Sequence, residues 1–337
     1  MTEPKTAGWF SEMPVVAAGY VSHLGFTGGQ CDWALMARTT DVDDKEWLAR
    51  RFEEQRPQLR AVAYRMLGSV VEADDAVQDS WERVNRAGAD GVENLGAWLT
   101  TIVARVCLNT LRSRKARREA AVGALVPDPI VTTDGGVPPE DEAIMADSVG
   151  LALQVVLGTL SPAERLAFVL HDMFDLPFEE IGSMMGRTTQ ATRQLASRAR
   201  RRVRHAEGPN LERDVGRQRV VVDAFFAAGR AGDFDALVAV LDPDVVLRQD
   251  FSPGRPGRSR MVRGAAAVAR QAKLGASPVA EVIPVLVNGA AGALIAKDKR
   301  PYLVMAFTVS DDKIIEIDAI ADPDRVARVA ADVVIDE

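Results

Sequence analysis

The sequence predicts a multidomain chain: two all-α helical domains, the second a helix-turn-helix, followed by an α+β domain. Three observations carry this. Helical periodicity dominates residues 44–118 and 144–206; a run of prolines, glycines and acids, "AAVGALVPDPIVTTDGGVPPEDE", separates them; and beyond residue 210 two helical runs give way to short aliphatic and β-branched runs bounded by turns. At 337 residues and 47% hydrophobic, the chain can bury more than one core.

Residues 1–43 lack a basic segment followed by a sustained apolar core, so they do not read as a signal peptide. They also lack helical periodicity. A disordered leader or a mis-assigned start is expected, with Met36 as the alternative first residue. In residues 44–118, Val77, Trp81 and Val84 recur at i, i+4 and i+7, and Ile102, Val106, Asn109 and Leu111 repeat similarly. Residues 119–143 have the composition of a linker.

The second helical block, 144–206, carries its own start signals. Ser161, Pro162 and Glu164 match a capping box with proline at the first helical position. "PFEEIGSMMG" supplies a short helix opened by Pro177, with Glu179 and Glu180 where the helix dipole favours acids and Gly186 able to end it at positive φ. A helix from about Thr188 to Arg204 follows. Ala191, Leu195, Ala199 and Val203 form its expected apolar stripe, opposite Gln190, Arg193, Ser197, Arg201 and Arg204. Residues 211–334 read as two helices and then antiparallel strands, with "NGAAG" and "SDDK" as turns.

Composition excludes several classes of function. Two cysteines, Cys31 and Cys107, build neither a disulfide framework nor a zinc site, and no histidine follows His205. No metal and no other cofactor is expected. No apolar run approaches the roughly 18–20 residues of a membrane span, which points to a soluble, cytoplasmic protein without a membrane partner.

Charge is the informative signal. The chain is net −7, yet residues 186–205 hold seven arginines and no acid. A solvated face usually mixes signs, whereas a basic amphipathic second helix of a helix-turn-helix can enter the major groove, where Arg reads guanine and Gln reads adenine. A second acid-free stretch, "ARVCLNTLRSRKARR", follows Trp98, and cations beside an aromatic ring suit strand-separated DNA. Ahead of both, "EADDAVQDSWERV" sets Asp75, Asp79 and Glu82 on one face of a helix. An acidic face does not bind phosphate; it meets solvent or a protein partner.

"DDAVQDSWERV" and "AWLTTIVARVCLNTLRSRKARRE" resemble region 2 of extracytoplasmic-function (ECF) RNA polymerase sigma factors, and "LSPAERLAFVLHDMFDLPFEEIGSMMGRTTQATRQLASRARRRVR" resembles their region 4. The resemblance implies sigma region 2 over 44–118 and region 4 over 144–206. It implies contacts with the β′ clamp of the RNA polymerase core at Asp75, Gln78, Asp79 and Trp81, and with the promoter −10 element at Trp98, Arg105, Asn109 and Arg112. For the −35 element it implies Arg187, Thr189, Gln190, Arg193 and Ser197, with Arg198, Arg200 and Arg201 towards phosphates.

Residues 211–334 look like a SnoaL-like, NTF2-type α+β cone, which places the chain beside the SigJ-like group, where this extension is thought to regulate activity in cis. "LVPDP" and "DPDRVARV" resemble that group's linker and C-terminal motifs, implying regulatory contacts at Pro127, Asp128, Pro129, Pro323 and Asp324. Asp250 stands where the group's Asp-Gly-Gly-Gly-Lys motif begins, but this chain reads "DFSPG".

Two alternatives stay open at this point. One is a ligand-responsive DNA-binding regulator with the cone as small-molecule sensor. The other is an isomerase or cyclase fused to DNA-binding modules, for which Asp250, Asp318, Arg248 and Tyr302 are the candidate acid–base groups. The leading expectation is a sigma factor and no enzyme.

Overall fold

A turn at Gly68, whose φ of 79° is the left-handed conformation that glycine tolerates best, closes α1 (Trp33–Leu67) against α2 (Val70–Ala87). The computed structural model describes residues 33–89, 91–116, 126–133, 150–207, 211–251, 260–275, 280–331 and 333. Of the expected leader 1–43, residues 1–32 lie outside them, as do Arg117 and Arg118, the linker segments 119–125 and 134–143, and the "DFSPG" run beyond Phe251, whereas residues 33–43 are helical and open α1. The chain divides into Met1–Asp43, described only as the start of α1, and Asp44–Glu337, which holds everything below.

In α2, Ala73, Ala76, Val77, Ser80 and Val84 are buried along one helical stripe. Helix α3 (Leu95–Ala116) buries Leu99, Val103, Val106 and Cys107, so Ile102 and Leu111 flank the expected stripe and Asn109 is exposed. Burial raises the Cys107 thiol to about 12, which keeps it protonated and unreactive.

The second group comprises α4 (Gly150–Thr159), α5 (Pro162–Phe168) continuing into a π-helical turn at Val169–Met173, α6 (Phe178–Met185) and α7 (Thr189–Glu207). The capping box forms as its residues require. Glu164 N donates to Ser161 Oγ at 3.3 Å and Ser161 N to Glu164 Oε2 at 3.1 Å. Pro177 is the N-cap of α6, and Gly186 ends that helix at φ 65°. In α7 the fully buried stripe is Thr192, Ala196, Ala199 and Val203; the expected Ala191 and Leu195 are half-buried beside it. Thr192 can enter the core because its hydroxyl donates to the Thr188 carbonyl at 3.0 Å. Both helical groups share one hydrophobic core, with α3 against α5.

Helices α8 (Val215–Ala231), α9 (Phe234–Val240) and α10 (Ala265–Gly275) cover one face of a seven-stranded sheet. Its strands are β1 (Val131–Thr132), β2 (Leu241–Asp250), β3 (Arg260–Arg263), β4 (Glu281–Val287), β5 (Ala290–Lys297), β6 (Arg300–Ser310) and β7 (Lys313–Ile320), in the order β1-β4-β5-β6-β7-β2-β3. The expected antiparallel pattern holds except between β2 and β7, which pair in parallel because α10 and the β4–β6 meander carry the chain back to the same end. Strand β1 comes from the linker and extends the β4 edge, Val131 opposite Val287.

Alternation gives the sheet two working faces. Leu247, Ile317, Ala319 and Phe307 point towards α8–α10. Val304, Ala306, Ile320 and Leu294 point the other way, against Leu151 and Val155 of α4, Val126 and Val131 of the linker, and Val326 of α11 (Pro323–Val329).

Candidate nucleic-acid interface

The exposed face of α7 presents Arg187, Gln190, Arg193, Ser197, Arg198 and Arg201, with Thr189 half-exposed at its start. Thr188 orients this end: its hydroxyl accepts from Ala191 N at 3.2 Å, leaving the loop after Gly186 free to turn α6 against α7. Arg193 is held rather than loose. Its guanidinium lies 5.7 Å from the Phe178 ring centroid and 3.5 Å from Glu179 Oε1, both on α6.

Two of the seven arginines pair with carboxylates of the preceding helices. Arg202 Nη1 donates to Glu164 Oε2 at 2.9 Å, and Arg200 Nε to Asp172 Oδ1 at 2.5 Å. Arg200, expected towards a phosphate, here pairs with a carboxylate on the π-helical turn.

On α3, Trp98, Arg105, Asn109 and Arg112 fall at i, i+7, i+11 and i+14, within one narrow sector of the helix. Arg105, Asn109 and Arg112 are exposed, and no ion pair joins either arginine to a described residue. Arg114, two residues on, forms an ion pair with Glu72 of α2 instead. Trp98 packs its inner side on the shared core and is half-buried, so an aromatic surface borders the cationic stripe.

The acidic face of α2 carries Asp75, Gln78 and Asp79, all exposed, and neither acid pairs with a described cation; Asp74 beside them is bound by Arg60 at 2.6 Å. Trp81 departs from the expectation. Its ring lies 5.0 Å from that of Phe52, so most of the side chain serves packing and only its outer edge is open to a partner.

The linker, the cone and both helical groups meet at a clasp. Arg325, on α11, has a side chain 4% exposed; its Nε donates to Asp128 Oδ1 at 2.6 Å, Nη1 to Asp250 Oδ2 at 2.9 Å and Nη2 to the Val126 carbonyl at 2.7 Å. Asp128 and Asp250 thus share the Arg325 guanidinium, although this chain departs from the group's motif after Asp250. Pro127 lies near Gly68, and Pro129 is buried. Pro323 and Asp324 are exposed in the first turn of α11 and make no such contact, because Asp322 takes the N-cap and the helix turns Arg325 inward.

Next to the clasp, the buried Tyr64 hydroxyl donates to the Asp128 carbonyl and accepts from Asn288 Nδ2, each at 3.0 Å, while Asn288 Oδ1 accepts from Ile130 N at 2.7 Å. Burial pushes the Tyr64 hydroxyl up to about 12. Gln154 Nε2 donates to the Tyr64 carbonyl at 2.8 Å and Arg165 Nε to the Arg65 carbonyl at 2.9 Å. These two side chains from α4 and α5 therefore cap the C-terminus of α1, Gln154 sharing the Tyr64 carbonyl with the Gly68 backbone N–H. Burial and the nearby Arg114 draw Arg165 down to about 9.

Arg325 and Asn288 went unanticipated. For Arg325 the available signal was an arginine three residues after an N-capping aspartate; for Asn288 it was an asparagine at the first turn position, where its φ of 49° is tolerated.

The acid–base candidates of the cone do not share one cavity. Arg248 bonds Glu316 and lies 3.1 Å from Asp318, on the clasp-side face with Asp250, while Tyr302 lies on the other side. Burial, with Glu316 alongside, holds the Asp318 carboxyl well above the usual range. Among the described residues no cluster of His, Cys, Asp and Glu could hold a metal, and no helix is long and apolar enough to cross a membrane.

Comparison with known proteins gives two family matches, Sigma-70 region 2 over residues 51–117 and Sigma-70 region 4 over 150–203. The chain is 37% identical over 293 residues to the ECF RNA polymerase sigma factor SigJ of Mycobacterium tuberculosis, covering 81% of this chain and 91% of that one. The probable ECF sigma factor SigI of the same organism is 36% identical over 194 residues, 57% of this chain and 66% of the relative. The crystal structure of M. tuberculosis SigJ superposes with a TM-score of 0.65 at 34% identity, covering 82% of this chain and 97% of that one.

Proposed function

The chain belongs to the ECF RNA polymerase sigma factors, and from that premise we propose how its residues divide the work and how the cone restrains it. Sigma factors direct transcription initiation and catalyse no covalent step, so this protein is not an enzyme; its partners are RNA polymerase and promoter DNA. In our reading residues 44–118 act as region 2 and 144–206 as region 4, with 119–143 joining them to each other and 211–334 forming a regulatory cone. Asp75, Gln78 and Asp79 dock on the β′ clamp, with Trp81 contributing its edge. Trp98, Arg105, Asn109 and Arg112 engage the −10 element as it opens. Arg187, Thr189, Gln190, Arg193 and Ser197 read the −35 element, and Arg198 and Arg201 hold phosphates. The work is done in the cytoplasm.

One observation carries the cis restraint: Arg325 ties linker and cone together where α4 and α5 also cap α1. Elements named −35 and −10 are centred about 25 base pairs apart, roughly 85 Å of duplex at about 3.4 Å per pair. Here α3 and α7 belong to one packed core. Reading both elements at once requires that core to part, and the clasp opposes the parting.

The test is run-off transcription with core polymerase and a promoter template, comparing the full chain with Arg325→Met. The variant is expected to initiate more at limiting protein. Equal or lower initiation by a variant that still binds core polymerase overturns the restraint, and no initiation by either chain overturns the assignment of promoter contacts.

A further inference from the structure

The helices α8 and α10 and the inner faces of β2, β5, β6 and β7 enclose a cavity of about 460 Å³. This is within the range of about 300–1,000 Å³ that accommodates small molecules. Its walls are apolar, with Phe225, Phe226, Leu247, Val268, Leu303 and Met305 among them. No aspartate, glutamate or lysine is among the described lining residues, and the arginine there, Arg230, is exposed at the end of α8.

Within this wall Gln249 stands apart. Its Oε1 is buried and accepts no hydrogen bond from a described residue, whereas the other amide of the wall, Gln271, is taken at 3.1 Å by Arg260 Nη1. A buried carbonyl oxygen without a donor is rare, because leaving water without a replacement partner is unfavourable. The missing partner is a donor, and the surroundings are apolar. An anion is the wrong occupant: its oxygen would face the Gln249 oxygen, acceptor against acceptor.

We propose that this cavity is a binding site for an uncharged, compact apolar molecule with a single hydrogen-bond donor, a phenol or an apolar alcohol, whose hydroxyl donates to Gln249 Oε1. The consequence for transcription rests on the reading of the cone as a restraint. Gln249 precedes Asp250 of the clasp, Ala319 lies between Asp318 and Ile320, and Leu303 and Met305 flank Val304, which packs beside α4. One layer of sheet separates the molecule from the clasp.

The probes are 2-naphthol, which carries one O–H, and naphthalene, which carries none, titrated calorimetrically into the full chain without polymerase. One molecule of 2-naphthol is expected to bind per chain, about tenfold more tightly than naphthalene, as one net hydrogen bond provides. Gln249→Leu should bring 2-naphthol to the level of naphthalene, and Ala272→Phe should abolish binding of both. If Ala272→Phe melts early, Ala280→Trp at another lining position takes its place. The site is overturned by absence of saturable binding or by binding that survives both filling variants. Equal affinities that Gln249→Leu leaves unchanged overturn the donor class. Binding with the expected pattern establishes the site even if 2-naphthol leaves run-off transcription unaltered, a result that would sink only the regulatory reading.

Discussion

Replacing Arg325 by methionine keeps much of the stem volume and removes the guanidinium that joins Asp128, Asp250 and the Val126 carbonyl. Asp250 has a side chain 1% exposed and loses the Arg325 guanidinium, whereas Asp128, at 19%, recovers some solvation. Removing one partner of a buried pair costs about 3–5 kcal/mol, mostly the penalty of the charge left behind. For a unit of this size each kcal/mol lowers the melting temperature by about 2 °C, so a drop of roughly 6–10 °C is expected by calorimetry near pH 7. Part of the penalty lies in the buried Asp250 carboxylate that loses this guanidinium, so adding Asp250→Asn to Arg325→Met should restore part of the loss, a coupling of about 1–3 kcal/mol in a double-mutant cycle. A shift under about 2 °C for Arg325→Met, or strictly additive losses in the double variant, would refute the clasp as an energetic tie.

Three further outcomes are expected. Arg193→Ala should weaken binding to a −35 duplex by about 1–3 kcal/mol and relax sequence preference, whereas Arg201→Ala should weaken all duplexes alike and reduce the salt slope by about 1; fluorescence anisotropy across ionic strengths separates the two. Asp75→Arg combined with Asp79→Arg should abolish co-elution with core polymerase and leave the melting temperature nearly unchanged, since neither acid pairs with a described residue. Asp318→Asn should raise stability at pH 8. The folded-state value of this carboxyl is raised, so the folded protein holds that proton more tightly; its contribution is full below the unfolded value of about 3.9 and is lost as pH rises through the folded value. The advantage of Asp318→Asn in thermal melts should therefore shrink as pH falls towards about 4.

Much of the helical half was legible because its signals are local. The capping box at Ser161 and Glu164, the left-handed Gly186 and the acid-free run on α7 each lie within a few residues of what they determine. Long-range pairing was not legible. Arg200 and Arg193 both read as basic groups on one helix, yet Asp172, 28 positions away, claims the first and Phe178 restrains the second. The same limit hid Asn288 and Arg325, whose partners Tyr64 and Asp128 lie 224 and 197 positions distant. It also hid the linker strand: two residues carry no usable period, and Val131–Thr132 became a strand only because β4 offered an open edge.

The two faces of one sheet explain why the acids of the cone are poor candidates for catalysis and good ones for restraint. Along β2, Leu247 and Gln249 face the cavity, while Arg248 and Asp250 face the clasp side. A one-residue register slip would exchange these sets, putting charges into the apolar cavity and leaving Arg325 opposite a glutamine. The parallel pairing with β7 sets Arg248 opposite Asp318 and Gln249 opposite Ala319, so strand register keeps the charged groups together on one side. Proton chemistry needs its acid in the same cavity as its substrate, and here the sheet stands between them. The buried charge that remains is directed at the linker, where it can hold a restraint in place.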